Sequence, residues 1–321
     1  MRDGRQRPSL MMPPVSGTPD ARQFWDREIL EQSHVSWLEH PLIRAYVNEQ
    51  IGGWPFDWFE RWLGGRRFQR ALSIGCGAGA LERDLVRRGI CASVDAFDGS
   101  VGSLRLARKE AVAAGMSGRI RYFAGNFNEP VLPRRRYDLV LFHQSAHHVA
   151  KLEKLYRAIL RSMTRDAVLY LDEYVGPSRH EWNDELLAAH RRVFSSLPRE
   201  ARDGDALPYP IQDDDPSEAI RSSEIEPQLL FGFKTLERRP YGGTLLSVLF
   251  PRLRPGAGDD VVRRLIDEER QMLRKGHDSY YKIIVARPRR GLLRPHASLH
   301  YFAVPKLKRV VREIRRSIAS K

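Results

Sequence analysis

The alternation of short apolar runs with amphipathic runs, between residues 70 and 173, limits the fold of this chain more than any other feature. The runs RALSI, CASVDAF, RIRYFAG, YDLVLFH and AVLYLDE are typical of strands. LERDLVRRG and VGSLRLARKEAVAAG are typical of helices that end at Gly89 and Gly115, and KLEKLYRAILRSM of a third helix. This order of elements predicts a parallel sheet with helices on both faces.

The alternation stops after Glu173. A helical segment and a polar loop follow, and then a further helix, for which Ser217 is a plausible N-cap. Two more strands, FKTLERRPY and YYKIIVAR, flank a helix that we expect to end at Gly276. We therefore predict an α/β fold: a Rossmann-like, doubly wound sheet of seven mostly parallel strands. It carries an N-terminal helical segment and an insertion after the fifth strand.

Composition excludes several classes of protein. The chain has 321 residues, of which 42% are hydrophobic, enough for one large α/β domain with additions or for two small domains. Its longest apolar runs are far too short to cross a bilayer, and residues 1–20 lack the apolar core of a signal peptide. Only two cysteines occur, and Cys76 lies inside a glycine-rich turn where a disulfide is implausible. A reducing, cytoplasmic setting is the simplest expectation.

The glycine-rich turn follows the first strand and reads GCGAGALE. Glycines at positions 75, 77 and 79 let the backbone approach a ligand closely, and the next helix begins there with unpaired N–H groups. Residue 80 is Ala, so the pattern is not the dinucleotide fingerprint G-x-G-x-x-G. Asp98 comes nineteen residues after Gly79, at the end of the second strand, where a carboxylate can accept from both ribose hydroxyls.

Four motifs together resemble the class I S-adenosylmethionine-dependent methyltransferases of the broad small-molecule type. They are the glycine turn, FDGSVGSLRLA after the second strand, GNF after the third and FHQSAHHV after the fourth. The resemblance covers roughly residues 70–175. It implies an enzyme, a methyltransferase, whose cofactor is S-adenosylmethionine.

The resemblance also implies roles for individual residues. The glycine turn would line the methionine and ribose moieties, Asp98 would hold the ribose hydroxyls, and Asn126 would meet the adenine amino group with Phe127 behind the ring. His143 and Gln144 would lie near the sulfonium. The full set of expected cofactor residues is Gly75, Cys76, Gly77, Gly79, Asp98, Gly99, Ser100, Asn126, Phe127, His143 and Gln144.

Two positions depart from the family pattern. The residue two before Gly75 is often acidic in the family, but here it is Ser73. The adenine-side residue is usually Asp, whereas here it is Asn126, which keeps an acceptor oxygen. Neither change removes a group that the chemistry needs.

Transfer of a methyl group to an alcohol needs help with the departing proton, and imidazole titrates near neutrality. We expect the catalytic groups to be His147, His148 and Glu173, because open α/β sheets bind ligands at the carboxyl ends of their strands. His147 could instead pack at the start of the next helix, and one of Asp172 and Glu173 could be structural. A metal site from His143 and His147 is allowed by spacing, but no further ligand set accompanies it, so no metal is predicted.

Nucleic acid is an improbable substrate. The Asn/Asp-Pro-Pro-aromatic run of base-methylating enzymes is replaced by HQSAHH, and no Pro-Cys nucleophile is present. Aromatic residues are also not interleaved with the basic tail as a base-stacking surface would require.

The segments DEYVGPSRHEW, DPSEAIRSSEI and RRPYGGTLL are similar to stretches found in a bacterial methyltransferase group often encoded among glycosyltransferases. That resemblance implies O-methylation of a sugar or of a glycolipid or polysaccharide precursor. Another small metabolite, methylated on O or N, and a non-catalytic cofactor-binding partner in glycan assembly stay open as alternatives. Arg221 and Glu224 could simply form a solvated helix face. The insertion is rich in Ser, Arg, Asp and Tyr, a composition that fits a polyhydroxylated acceptor. The expected acceptor-binding residues are Tyr174, Arg179, His180, Trp182, Arg221 and Ser222.

The predicted organisation is a flexible segment 1–20, an N-terminal helical lid 21–66, a methyltransferase domain 67–288 with an acceptor-side insertion 174–232, and a basic tail 289–321. The net charge is +14, and the tail holds ten Lys and Arg against one Glu. Its segment 305–321 has the pattern of a basic amphipathic helix. Such a helix suits an anionic membrane surface, the enzyme's own body or a second subunit, and less well nucleic acid; the oligomeric state does not follow from the sequence.

Overall fold

A computed structural model of the chain describes residues 36–210 and 215–289. Its seven strands form one sheet with the order β3-β2-β1-β4-β5-β7-β6. The five strands β1 to β5 are parallel, and β7 runs antiparallel between β5 and β6. The strands are β1 (Phe68–Ile74), β2 (Cys91–Asp98), β3 (Ile120–Ala124), β4 (Tyr137–His143), β5 (Met163–Tyr174), β6 (Phe233–Gly242) and β7 (Tyr281–Pro288). The fold predicted from the sequence is confirmed.

The central strands are apolar on both faces because helices cover both. The last eight residues of β5 are all buried, as are residues 139–142 of β4, as expected for strands in the middle of a parallel sheet. The edge strand β6 alternates exposed and half-buried residues and carries several charges, which discourages pairing with another sheet.

Nine α-helices surround the sheet in the described residues. They are α1 (Pro41–Ile51), α2 (Pro55–Leu63), α3 (Ala80–Arg87), α4 (Val101–Ala113), α5 (Leu152–Ser162), α6 (Asp184–Ser196), α7 (Ile225–Leu229), α8 (Leu246–Leu249) and α9 (Asp259–Arg274). The glycines expected to end three of them, Gly89, Gly115 and Gly276, all have positive φ and follow α3, α4 and α9.

The N-terminal helices are built into the body. Ile43, Val47 and Phe59 are fully buried in the core that covers one face of the sheet. Arg88, just after α3, pairs with Asp57 and Glu60 of α2 at N–O distances of 2.6 and 3.0 Å. The part of the predicted lid that is described is therefore fastened to the sheet and to α3.

The expected N-cap role of Ser217 is wrong. The helix that follows, α7, begins only at Ile225, and the hydroxyl of Ser217 instead donates to Asp215 at 2.6 Å. The sequence DPSE forms a turn because the Asp215 carboxylate also accepts from the backbone N–H of Ser217, at 2.8 Å.

Some predictions lie outside the described residues: the flexible segment 1–20, the start of the lid, and the basic tail apart from Arg289. Within residues 36–210 and 215–289, every helix is too short or too polar to cross a bilayer.

Candidate functional site

The glycine turn after β1 adopts a backbone that only glycine accepts readily. Gly75, Gly77 and Gly79 have φ of +73°, +50° and +75°. A Cβ on Gly75 would overlap the side chain of Ser145, and one on Gly79 would overlap the hydroxyl of Tyr122. Gly79 is also the N-cap of α3. The three glycines therefore bring main chain, rather than side chains, to the carboxyl end of β1.

Asp98 fixes this turn from the neighbouring strand. One carboxylate oxygen accepts from the backbone N–H of Gly77 at 2.9 Å, and the other from that of Ser100 at 2.8 Å. Ser100 is the N-cap of α4, and its hydroxyl accepts from Ser103 N–H. Asp98 thus holds two loops together and lines the cavity beside them.

The loop after β3 forms the next part of the site. Asn126 is buried, and its side-chain oxygen accepts from the backbone N–H of Asn128 at 2.9 Å. Phe127 packs on Phe97 with ring centroids 5.5 Å apart.

A cavity of about 720 Å³ joins these loops. Its glycine wall consists of residues 75–77, 98–100 and 125–127, and its histidine wall of residues 143–145, His148 and Ser217. The structure brings every expected cofactor residue except Gly79 into this lining. Gly79 contributes indirectly, because its positive φ turns the chain into α3. Trp54 and Phe56, the N-cap and second residue of α2, also line the cavity.

Glu82 supplies a carboxylate where Ser73 lacks one. It is fully buried, accepts a hydrogen bond from the Ser73 hydroxyl, and lines the cavity from the first turn of α3. Its other oxygen has no hydrogen-bond partner. Burial raises the pKa of the Glu82 carboxyl above its ordinary value of 4.5, although the bond from Ser73 opposes this. Sequence reasoning missed Glu82 because it searched for the acid on the strand.

Two histidines follow β4 in a single turn of 3-10 helix, Ala146–His148. His147 is held by Glu173 at 2.9 Å through Nδ1, and Nδ1 of His148 lies 3.1 Å from the hydroxyl of Ser217. Their Nε2 atoms each lie 3.7 Å from the same carboxylate oxygen of Glu218. Asp215, fully buried, lies 3.5 Å from Nδ1 of His148.

The pKa values of the two imidazoles move in opposite directions. Burial disfavours charge on His147, but Glu218, Glu173 and Asp215 outweigh it and raise its pKa to about 9. Burial and the positive charge of His147 together lower the pKa of His148. The environment therefore separates the pKa values of two adjacent histidines.

Glu173 acts beneath the site. Its carboxylate accepts from the backbone N–H groups of Ser145 and Ala146 and from His147, and it is fully buried outside the cavity lining. Asp172 likewise accepts from Tyr241 and lies 3.5 Å from Nε2 of His143; burial raises its pKa. These contacts make Glu173 a positioning residue for the turn that carries the histidines.

The structure does not bring the six expected acceptor-binding residues to the cavity lining formed by the described residues. Tyr174, Trp182 and Ser222 are buried in the insertion, and His180 is exposed. Arg179 donates to the carbonyl of Asp215.

Arg221 pairs with Glu224 and also with Glu153 of α5, at 2.7 and 2.6 Å, so that it fastens the insertion to α5. It is therefore neither a cavity residue nor part of a simple solvated helix face. Polar composition indicated a binding segment, but these side chains hold that segment together.

Three of the cavity residues that sequence reasoning missed come from segments distant from the cofactor motifs. Trp54 and Phe56 had no motif to mark them, and Ser217 was expected only as a helix N-cap. Asp215 and Glu218 flank Ser217 in the turn DPSE. The acidic residues of that turn lie next to the histidine pair in the folded chain, but nothing in the sequence links the two segments.

Comparison with known proteins supports the fold and the domain. Residues 72–171 match a family model described as a methyltransferase domain. The cyclase SpnF, of known structure, superposes with a TM-score of 0.50 and 16% identity, covering 84% of this chain and 96% of that one.

Two curated proteins also match, each over 131 residues. They are the sterol 24-C-methyltransferases erg-4 of Neurospora crassa and erg6 of Aspergillus fumigatus, 26% and 24% identical. The alignments cover 41% of this chain and 34% of each relative, so the chain spans about a third of the length of the curated relatives it matches. The matched segment is a methyltransferase domain, and such a domain implies S-adenosylmethionine as cofactor.

Proposed function

We propose that this chain transfers a methyl group from S-adenosylmethionine to an oxygen of a hydroxylated small molecule, of which a sugar or a glycolipid or polysaccharide precursor is our first choice. The observation that carries the proposal is the single cavity in which the glycine wall adjoins a histidine. One wall can hold the donor, and the other can act on an acceptor.

The residues of the glycine wall fit the donor. The space where a Cβ of Gly77 would stand is open, Asp98 offers carboxylate oxygens, and Asn126 with Phe127 would serve the adenine. The carboxylate oxygen of Glu82 that has no hydrogen-bond partner suits the positively charged amino group of the donor's methionine moiety. When bound, S-adenosylmethionine supplies a methyl group on a sulfonium whose sulfur keeps the electrons of the broken bond.

The histidine wall would deal with the acceptor. Methylation of a hydroxyl releases its proton, so a group beside the acceptor has to help that proton to leave. His148 lines the cavity, and Ser217 and Glu173 fix the orientations of the two imidazoles. The main work of the remaining residues would be to align the acceptor and exclude water.

Support for a sugar-like acceptor comes from the resemblance of the insertion to methyltransferases encoded among glycosyltransferases. Trp54 and Phe56 add aromatic carbon to the cavity lining, against which the apolar face of a sugar ring would pack. Attachment of the tail 305–321 to an anionic membrane would bring the cavity close to a lipid-linked acceptor.

A second candidate acceptor is an apolar molecule such as a sterol. The two matched curated proteins are named as sterol methyltransferases, and the same aromatic pair could contact a hydrocarbon ring system.

The test uses the full chain and methyl-labelled donor. Calorimetry first measures donor binding, and the protein is then incubated with nucleotide sugars, lipid-linked saccharides and sterols. Label in a saccharide, lost on treatment that cleaves O-methyl groups, supports the first choice, and label in a sterol supports the second. Absence of donor binding would overturn methyl transfer altogether. Donor binding without any labelled product would favour a non-catalytic partner. Turnover has to be measured because one protein of similar fold is named as a cyclase and not as a methyltransferase.

A further inference from the structure

Three side chains converge where the insertion meets the turn after β4. One possible ligand atom from each of His147, His148 and Glu218 lies within 4.8 Å of the other two. Each Nε2 is 3.7 Å from the same carboxylate oxygen of Glu218. This is too long for a direct hydrogen bond, for which nitrogen and oxygen lie about 2.7–3.2 Å apart.

The spacing suits ligands that share an ion. Ligand atoms at about 2.0–2.2 Å from a tetrahedral zinc ion lie roughly 3.3–3.6 Å from one another. Two imidazoles and one carboxylate, with a further position open, form the donor set of several catalytic zinc sites.

Both imidazoles are held in the way that metal ligands are held. Their Nδ1 atoms are engaged by Glu173 at 2.9 Å and by the hydroxyl of Ser217 at 3.1 Å, which directs both Nε2 atoms to Glu218. Carboxylates and hydroxyls behind metal-bound histidines fix ring orientation in this manner.

The charges of the surroundings agree with a bound cation. Glu173, Asp215 and Glu218 surround two imidazoles, and Glu173 and Asp215 are fully buried. Buried carboxylates are costly unless they are paired or bind a metal. A divalent cation at this point would be attracted by Glu218 and Glu173, whose carboxylates face the two imidazoles.

We propose that His147, His148 and Glu218 form a binding site for one divalent transition-metal ion, with zinc as the natural choice, at the edge of the cavity. Zinc prefers this mixture of imidazole and carboxylate over the all-oxygen sets of magnesium and calcium. This proposal departs from the expectation of no metal site, which considered His143 with His147 and found no further ligand set.

The ion would sit beside His148, which lines the cavity, and would take an oxygen of the acceptor at its open position. A hydroxyl bound to such an ion loses its proton to water near neutral pH, as zinc-bound water does, and leaves an alkoxide to receive the methyl group. This role rests on the proposed methyl transfer, whereas the affinity for the ion does not.

The test is cobalt and zinc binding by the full chain, purified without a histidine tag and stripped with a chelator. We expect one Co²⁺ per chain with the visible absorption of a four- or five-coordinate ion, and its displacement by one Zn²⁺. Glu218→Gln should weaken binding at least 100-fold, and Ser217→Ala about tenfold, as loss of a residue behind a ligand does. The matched controls are His277→Gln and Glu185→Gln, at two exposed positions. Both variants should bind cobalt as tightly as the native chain does.

Donor binding measured on every variant separates the two proposals. A native chain that binds the donor but no cobalt overturns the metal site and leaves methyl transfer standing. A chain that binds cobalt but not the donor overturns methyl transfer and leaves the metal site standing. Equal cobalt affinity in the native chain and in both Glu218→Gln and Ser217→Ala assigns the ion to another place and overturns the site. Should Glu218→Gln fail to fold, Ser217→Ala and the cobalt spectrum still decide.

Discussion

The glycine wall and the histidine wall of the cavity are built in different ways. In the glycine wall, main-chain groups do most of the work, and the fixing contact joins Asp98 to Gly77, which are 21 residues apart. The histidine wall depends on side chains, and the contact between His148 and Ser217 spans 69 residues. A wall of the first kind is encoded in local spacing, whereas one of the second kind exists only after the insertion has folded onto β4.

This difference predicts that donor binding and turnover respond to different substitutions. Replacement of His148 by Ala should have the largest effect, because it removes the imidazole that lines the cavity. We expect turnover to fall by ~10²–10⁴ while the donor affinity stays within about twofold. Single-turnover kinetics with calorimetric donor titration would check this. If the donor affinity falls as steeply as turnover, the two walls do not act separately.

Asp98→Ala tests the glycine wall in the same way. Loss of a charged acceptor that also holds Gly77 and Ser100 should weaken donor binding by about 1.5–3 kcal/mol, or roughly 10- to 150-fold. Turnover at saturating donor should change much less. Asp267→Ala, on the exposed face of α9, is the matched control and should bind the donor normally. Unchanged affinity in Asp98→Ala would remove Asp98 from the donor site.

The same contrast explains how much the sequence could predict. The seven strands followed from apolar runs. The residues of the glycine wall followed from glycine spacing and from the resemblance of four short motifs to a known family, and all of these signals are local. The histidine pair was found because HQSAHH directly follows a strand. The partners of that pair were not found: DPSE contains good helix-capping residues, and nothing local indicates that Asp215 and Ser217 face His148.

The insertion shows the limit of composition as a guide. Its Ser, Arg, Asp and Tyr side chains suggested a binding surface for a polyhydroxylated acceptor, yet many of them make hydrogen bonds or ion pairs within the protein. Ser222, for example, donates to the carbonyl groups of Gly176 and Pro177. The parts of the insertion outside α6 and α7 have many backbone groups to satisfy, and polar side chains close to them are taken up for that purpose.

Glu82→Gln should sharpen the comparison on the glycine side. Its folded-state pKa lies above the ordinary 4.5, so the folded chain loses stability as the pH rises through that raised value. Gln cannot ionise, so the variant should gain about 1 kcal/mol, or about 2 °C in Tm, at pH 8. The gain should vanish as the pH falls to 4.5. Donor affinity should decrease, and a variant that keeps full affinity would show that Glu82 serves only the fold.

Arg221→Ala gives the smallest expected effect and addresses the insertion directly. Arg221 is half-buried and pairs with Glu153 and Glu224, so its loss should lower the free energy of unfolding by about 0.5–1 kcal/mol. Because the side chain lies outside the cavity lining, KM for the acceptor should change less than twofold. Arg191→Ala, which breaks an exposed pair with Asp184, is the control and should cost less. Denaturant titration and acceptor kinetics separate the two roles. A tenfold rise in KM at unchanged stability would mean that Arg221 contacts the acceptor, and the insertion would then be a binding surface as its composition suggested.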